Sequence, residues 1–119
     1  MSTYKYDWWI NAVHMVKNYP ARLREYKAKS GHIAPAKILE LKAVEKAIAE
    51  TKARRGGSEH LRFLTSLHWS GNAGGLSAAA FDAHISESTG KLWNGDFIRR
   101  VGKNFGYILP EDEKPKGGE

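Results

Sequence analysis

Between Ser86 and Lys103 the chain gathers three short hydroxyl side chains (Ser86, Ser88, Thr89), an amide (Asn94) and four cations (Lys91, Arg99, Arg100, Lys103). Those groups suit a polyanion whose edges also form hydrogen bonds. Lys and Arg neutralise phosphates, short hydroxyls bond phosphate oxygens or base edges, and Asn reads a base edge in the major groove. Around them, from Leu76 to Phe105, the sequence LSAAAFDAHISESTGKLWNGDFIRRVGKNF reads as a helix, a tight turn and a second helical segment. Ala80 supplies the small residue where two helices approach. The polar start of the second segment leaves backbone N–H groups that favour phosphate. His84 stands in the turn where glycine is usual, and Gly90 where a buried Val or Ile normally pins the second helix.

Other chemistries are poorly served. Gly75-Leu76-Ser77-Ala78-Ala79 begins like a nucleophile elbow but lacks its last glycine and a preceding strand, so Ser77 reads better as a helix cap. The five histidines (14, 32, 60, 68 and 84) show no metal-ligand spacing, and the SGNAGG run lacks the trailing Lys-Ser/Thr pair of a phosphate-cradling loop. No paired carboxylates stand out. Without cysteine there is no thiolate nucleophile, disulfide framework or cysteine-based zinc site. The expectation is no catalysis, no metal and no cofactor. Trp8 and Trp9, with Tyr6, Tyr19 and Tyr26, form a wide aromatic face, and at helical spacing such a face is core or an interface before it is a base-stacking platform.

The elements that must position these groups are helical. At 119 residues, 41% hydrophobic and 11% aromatic, the chain has enough apolar matter for one modest core. No apolar run approaches the roughly 20 residues of a membrane span. The N-terminal MSTYKYDWW lacks the charged-then-apolar order of a secretion signal, so a cytoplasmic protein with no membrane partner is expected. The net charge of +6 understates the basicity of the body of the chain. The tail from Pro110 holds two lysines against four acids, so residues 1–109 carry 17 of the 19 cations and 9 of the 13 acids, a net of +8. Such a domain is drawn to polyanions.

In chain order, Tyr6–Tyr19 predicts an opening helix with Trp9, Val13 and Val16 on one stripe and Trp8, Ala12, Met15 and Tyr19 on the next. Pro20 either kinks that helix or starts a new one, which closes at Ser30-Gly31. A second helix is expected from Ala36 to Arg55, with Ile38, Leu41, Val44 and Ile48 inward, stopped by Gly56-Gly57. Ser58 is the expected cap of a third, burying Leu61, Leu64, Leu67 and His68 with Phe63 at its flank. After the SGNAGG loop, Ser77 caps a fourth helix over Ala78–Ala83. Beyond Ser86 two readings are open: one helix from Glu87 to Asn104, or a break at Asn94-Gly95 with Asp96 capping a final helix. The glycines at 90 and 95, each costing about 1 kcal/mol inside a helix, favour the break, leaving Lys91-Leu92-Trp93 as a short extended or one-turn segment. Tyr107-Ile108-Leu109 is expected to pack back on the core, and residues 110–119 to be a disordered acidic tail.

The WWINAVHMVKNYP segment (8–20), the basic helix after it, the AVEKAI helix (43–48) and the Ser-rich turn together resemble the small ArpU/RinA-type transcription regulators of bacteriophages and prophages of Gram-positive bacteria. The resemblance spans residues 6–108. It implies an N-terminal helical region before a DNA-binding unit similar to the fourth region of sigma factors. That unit would comprise helices from about 58 to 69, 77 to 84 and 86 onward, with Ser86, Ser88, Thr89 and Lys91 at the start of the recognition helix. The reading is then an all-α, single-domain regulator of about five helices that binds double-stranded DNA through residues near 86–103. Since one such unit buries limited DNA surface, a homodimer or a complex with RNA polymerase would enlarge it, with Trp8 and Trp9 as the candidate interface. The rival is a helical interaction module whose basic faces meet an acidic protein partner, such as an assembly or host-takeover factor.

Overall fold

Apolar residues recurring at helical spacing give five helices in the computed structural model, which describes residues 3–70 and 74–107, with side chains from Trp8 onward. They are α1 (Thr3–Ala28), α2 (Pro35–Ala53), α3 (Gly57–His68), α4 (Gly75–Asp82) and α5 (Glu87–Phe105), with no strand among the described residues. The fold is all-α, as expected. One core joins Trp8, Ala12, Met15 and Val16 of α1 to Ala43, Val44 and Ala47 of α2, Phe63 and Leu64 of α3, Ala79 and Ala80 of α4, and Phe97, Ile98 and Val101 of α5. Helix α5 is the hub and packs against each of the other four. The expectations for residues 71–73, Ile108-Leu109 and the 110–119 tail lie outside the described residues.

Pro20 does not start a new helix; α1 runs through it. A proline inside a helix removes the N–H that would bond the carbonyl four residues back, here that of Val16. The indole of Trp69 takes that place, its Nε1 donating to the Val16 carbonyl at 2.7 Å. The same ring lies 5.8 Å from Tyr19 and 6.1 Å from Phe97, so it ties the end of α3 to both α1 and α5.

The helix starts differ from the expected caps. Helix α2 begins at Pro35 in its first turn, where the missing N–H is harmless. Ser58 does not cap α3. The residue before that helix is Gly56, left-handed at φ 71°, and Gly57 packs so tightly on the Thr51 and Lys52 carbonyls that a Cβ would collide with backbone. Ser77 does not cap α4 either; α4 starts at Gly75, and the Ser77 hydroxyl donates to Glu87 Oε2 at 2.7 Å. Phe63, expected at a flank, is fully buried.

The expected break at Asn94-Gly95 does not occur, and Lys91-Leu92-Trp93 and Asp96 lie inside one continuous α5. Three tertiary contacts outweigh the local turn preference of that dipeptide. Gly90 lets α5 seat on Phe63 and Ala80: a Cβ there would stand 3.0 Å from the Phe63 ring and 3.7 Å from Ala80. Asn94 Oδ1 accepts from His68 Nε2 at 2.7 Å. Asp96, instead of capping, binds Arg54 of α2 and, one turn on, Arg100 at 3.0 Å. Beyond α5, Tyr107 folds back as expected. Its N–H bonds the Gly102 carbonyl at 3.0 Å, its hydroxyl accepts from Asn11 at 3.0 Å, and its ring lies 5.3 Å from Phe105.

Candidate nucleic-acid interface

Helix α4, the turn at 83–86 and the start of α5 are built in a way that fixes the approach of two helices. His84 adopts the left-handed conformation at φ 60°, filling the position where glycine is usual. The Ile85 N–H then bonds the Ala80 carbonyl at 3.0 Å, closing α4. Ser86 caps α5: its Oγ accepts the Thr89 N–H at 3.1 Å and lies 3.0 Å from Thr89 Oγ1. The first turn of α5 also carries Glu87, held by Ser77. That changes one expectation. The N-terminus of α5 is occupied by a side-chain cap and a carboxylate, so it is a poor seat for a phosphate.

Helical periodicity sorts the remaining candidates. Ser88, Lys91, Leu92, Gly95, Arg99 and Lys103 recur at three- and four-residue intervals along the side of α5 opposite Gly90, Phe97 and Val101. Ser88, Lys91, Leu92 and Lys103 are exposed. Gly95 is covered by Arg99, whose guanidinium nitrogens lie 3.7 and 3.8 Å from the point a Cβ at 95 would occupy. Three candidates leave this stripe. Asn94 is turned inward to His68. Arg100 is half-buried in an acidic seam, 3.0 Å from Asp96 and 3.8 Å from Glu50. Thr89 is half-buried and engaged by the cap.

The seam orders the electrostatics of the neighbouring surface. Asp96 meets Arg54, Arg100 meets Glu50, and Asn104 reaches the Ala43 carbonyl at 3.4 Å and Glu50 at 3.2 Å, so α5 and α2 run antiparallel. Lys46, one turn before Glu50, and Lys103, one turn after Arg100, flank the seam, and both are exposed. Burial raises the Asp96 carboxyl, but its hydrogen bond to Arg100 and the charges of Arg100 and Arg54 more than offset this, holding it below the usual carboxylate range. The carboxylates of the seam thus neutralise Arg54 and Arg100 locally.

Beside the seam, His60 stacks on Trp93, with ring centroids 3.8 Å apart and planes within 16°. Burial, then the charge of Arg54, pushes the His60 imidazole below its ordinary value. Trp93 also meets Phe63 edge-on at 6.0 Å. Neither this stack nor the position of Leu92 was legible in the sequence, because the favoured break at 94–95 left Lys91-Leu92-Trp93 as a short extended or one-turn segment.

The candidate interface residues separate. Trp8 is 4% exposed in the chain's own core and offers no surface to a partner. Trp9 is half-buried against that core, edge-on to Trp8 at 5.7 Å. Among the described residues, no group of three or more His, Asp or Glu is placed to hold a metal ion, and no helix is long and apolar enough to cross a membrane. No known protein family, curated protein or solved structure matches the chain.

Proposed function

We propose that this chain is a double-stranded DNA-binding protein that presents the stripe from Ser88 to Lys103 of α5 to the major groove, with Lys46 of α2 near the phosphate backbone. The observation that carries the reading is the placement of Ser88, Lys91, Arg99 and Lys103 on one side of α5, over a first half supported by α3 and α4. The lysines and Arg99 supply affinity that does not depend on sequence, and Ser88 and its neighbours supply discrimination. The resemblance to ArpU/RinA-type regulators extends the proposal to transcription control in the cytoplasm of a bacterial host, alone or with RNA polymerase or a second copy. Asn94 and Arg100 act in this reading by holding α5 in place.

Mobility-shift titration against duplex DNA at several salt concentrations tests it. The logarithm of affinity is expected to fall linearly with the logarithm of salt, and Lys91→Gln or Lys103→Gln to reduce that slope by about 1 each. No shift at the lowest salt would sink the reading.

One observation favours the rival, a helical module for an acidic protein partner: Phe81 on α4 is 80% exposed, an apolar side chain on a basic body. The two are separated by the absorbance of the purified protein. A ratio skewed towards 260 nm that nuclease treatment removes supports nucleic acid.

A further inference from the structure

We infer that Leu92 is a specificity-determining residue that reads the C5-methyl group of thymine in the major groove; this rests on the DNA-binding reading above and deepens it. Leu92 is 70% exposed, although Phe97, Ile98 and Val101 of the same helix are at most 1% exposed. It therefore stands opposite the core face of α5. A single exposed leucine needs no explanation in itself. Its neighbours give it one. Ser88 precedes it by one turn, Lys91 adjoins it, and at the next turn Gly95 carries no side chain, with the Arg99 guanidinium folded against it. Leu92 is thus the projecting apolar group between a hydroxyl and a guanidinium on a basic stripe.

A leucine has nothing to offer a phosphate. On a major-groove floor the donors and acceptors of the bases match polar side chains, and the thymine methyl is the apolar group that remains. A second copy of the chain is the less suited occupant. A two-fold contact centred on Leu92 would set Lys91 of one copy near Lys91 of the other, between bodies that each carry net positive charge.

The test uses the full chain and duplexes enriched by it from a random-sequence pool. The tightest duplex is resynthesised with thymine or with deoxyuridine, which lacks only the methyl group, and both are titrated against the wild-type and Leu92→Ala proteins at low salt. Wild type is expected to bind the thymine duplex about fourfold more tightly for each methyl group contacted, the equivalent of one buried methyl(ene). Leu92→Ala is expected to bind both duplexes alike, with unchanged circular dichroism because the side chain is exposed. Equal binding by wild type, or a thymine preference that survives in Leu92→Ala, overturns the inference while leaving DNA binding intact. Unchanged DNA affinity together with lost self-association in sedimentation also overturns it, assigning Leu92 to a second copy. Failure to enrich or shift any duplex is a different failure, of the DNA reading itself, and the inference falls with it.

Discussion

From Glu87 to Asn94, α5 rests on α3 and α4 with one side open. From Phe97 to Phe105 it is enclosed by α2, α1 and the Trp69 ring. The enclosed half is held by large apolar side chains at helical spacing, Phe97, Ile98 and Val101, all essentially without exposure. The open half has no such set. It is seated by an absent side chain, Gly90 under Phe63, and by directional contacts: Ser77 to Glu87, His60 on Trp93, and His68 to Asn94. The contrast teaches where variation is tolerable. Side chains on the outer stripe of the open half can change without opening the core, because the contacts that hold that half come from its inner side.

Three changes would break or sharpen this contrast. The largest effect is expected from Gly90→Ala. The new methyl would stand 3.0 Å from the ring of Phe63, which is fully buried and must shift to admit it. Overpacking of about 1–3 kcal/mol should exceed the ~1 kcal/mol that alanine gains in helix propensity. Urea unfolding should therefore show a net loss of stability. A gain would show that the open half is not seated through that contact.

A smaller change is tied to pH through His68. Burial pushes its imidazole below the ordinary value, against the hydrogen bond to Asn94, and Lys17 adds in the same direction as burial. The neutral ring donates from Nε2 to Asn94, and its buried Nδ1 has no partner to receive a second proton's N–H. Because the folded-state pKa lies below that of the unfolded chain, the unfolded state takes up the proton first as pH falls. Stability is then full above the unfolded value of about 6.5 and declines below it. Thermal unfolding between pH 7.5 and 5 should show this decline, reduced in His68→Gln to the part contributed by His60, which is shifted in the same direction. Parallel curves for the two proteins would exclude His68 as a source.

The smallest effect has the opposite sign. Gly95 lies in the same helix as Gly90, but a Cβ there would meet only the Arg99 guanidinium, at ordinary contact distance. Gly95→Ala is expected to raise stability by up to ~1 kcal/mol, read as a higher unfolding midpoint. A lower midpoint would mean that the Arg99 cover of the helix carries energy of its own.

Much of the fold was legible because burial imposes a period on sequence. The stripe of Leu41, Val44 and Ile48, the stop at Gly56-Gly57 and the turn before Ser86 all follow from local pattern. What was not legible depends on partners distant in the chain. Asn94-Gly95 reads as a turn in isolation, yet His68 and Arg54 lie 26 and 42 residues from the groups they hold there. Ser77 reads as a cap, yet its hydroxyl serves Glu87. In the candidate site, the shared side of Arg99 and Lys103, one turn apart, could be read from spacing alone, whereas their alignment with Lys91 could not. The inward turn of Asn94 and the neutralisation of Arg100 could not, and Leu92 was hidden by the break that does not form.

The Val16 carbonyl, with its indole partner from 53 residues away, carries a consequence for sequence change in this lineage. An N–H at position 20 and an indole at position 69 would compete for one acceptor, so the two sites are not independent. Proline at 20 makes the tryptophan valuable, and the tryptophan makes the proline tolerable. Across relatives of this chain the two should be gained and lost together, and an alignment in which they vary independently would contradict that pairing. What looks in one sequence like a misplaced helix breaker is then half of a pair coupled through one hydrogen bond, whose other half lies at the far end of α3.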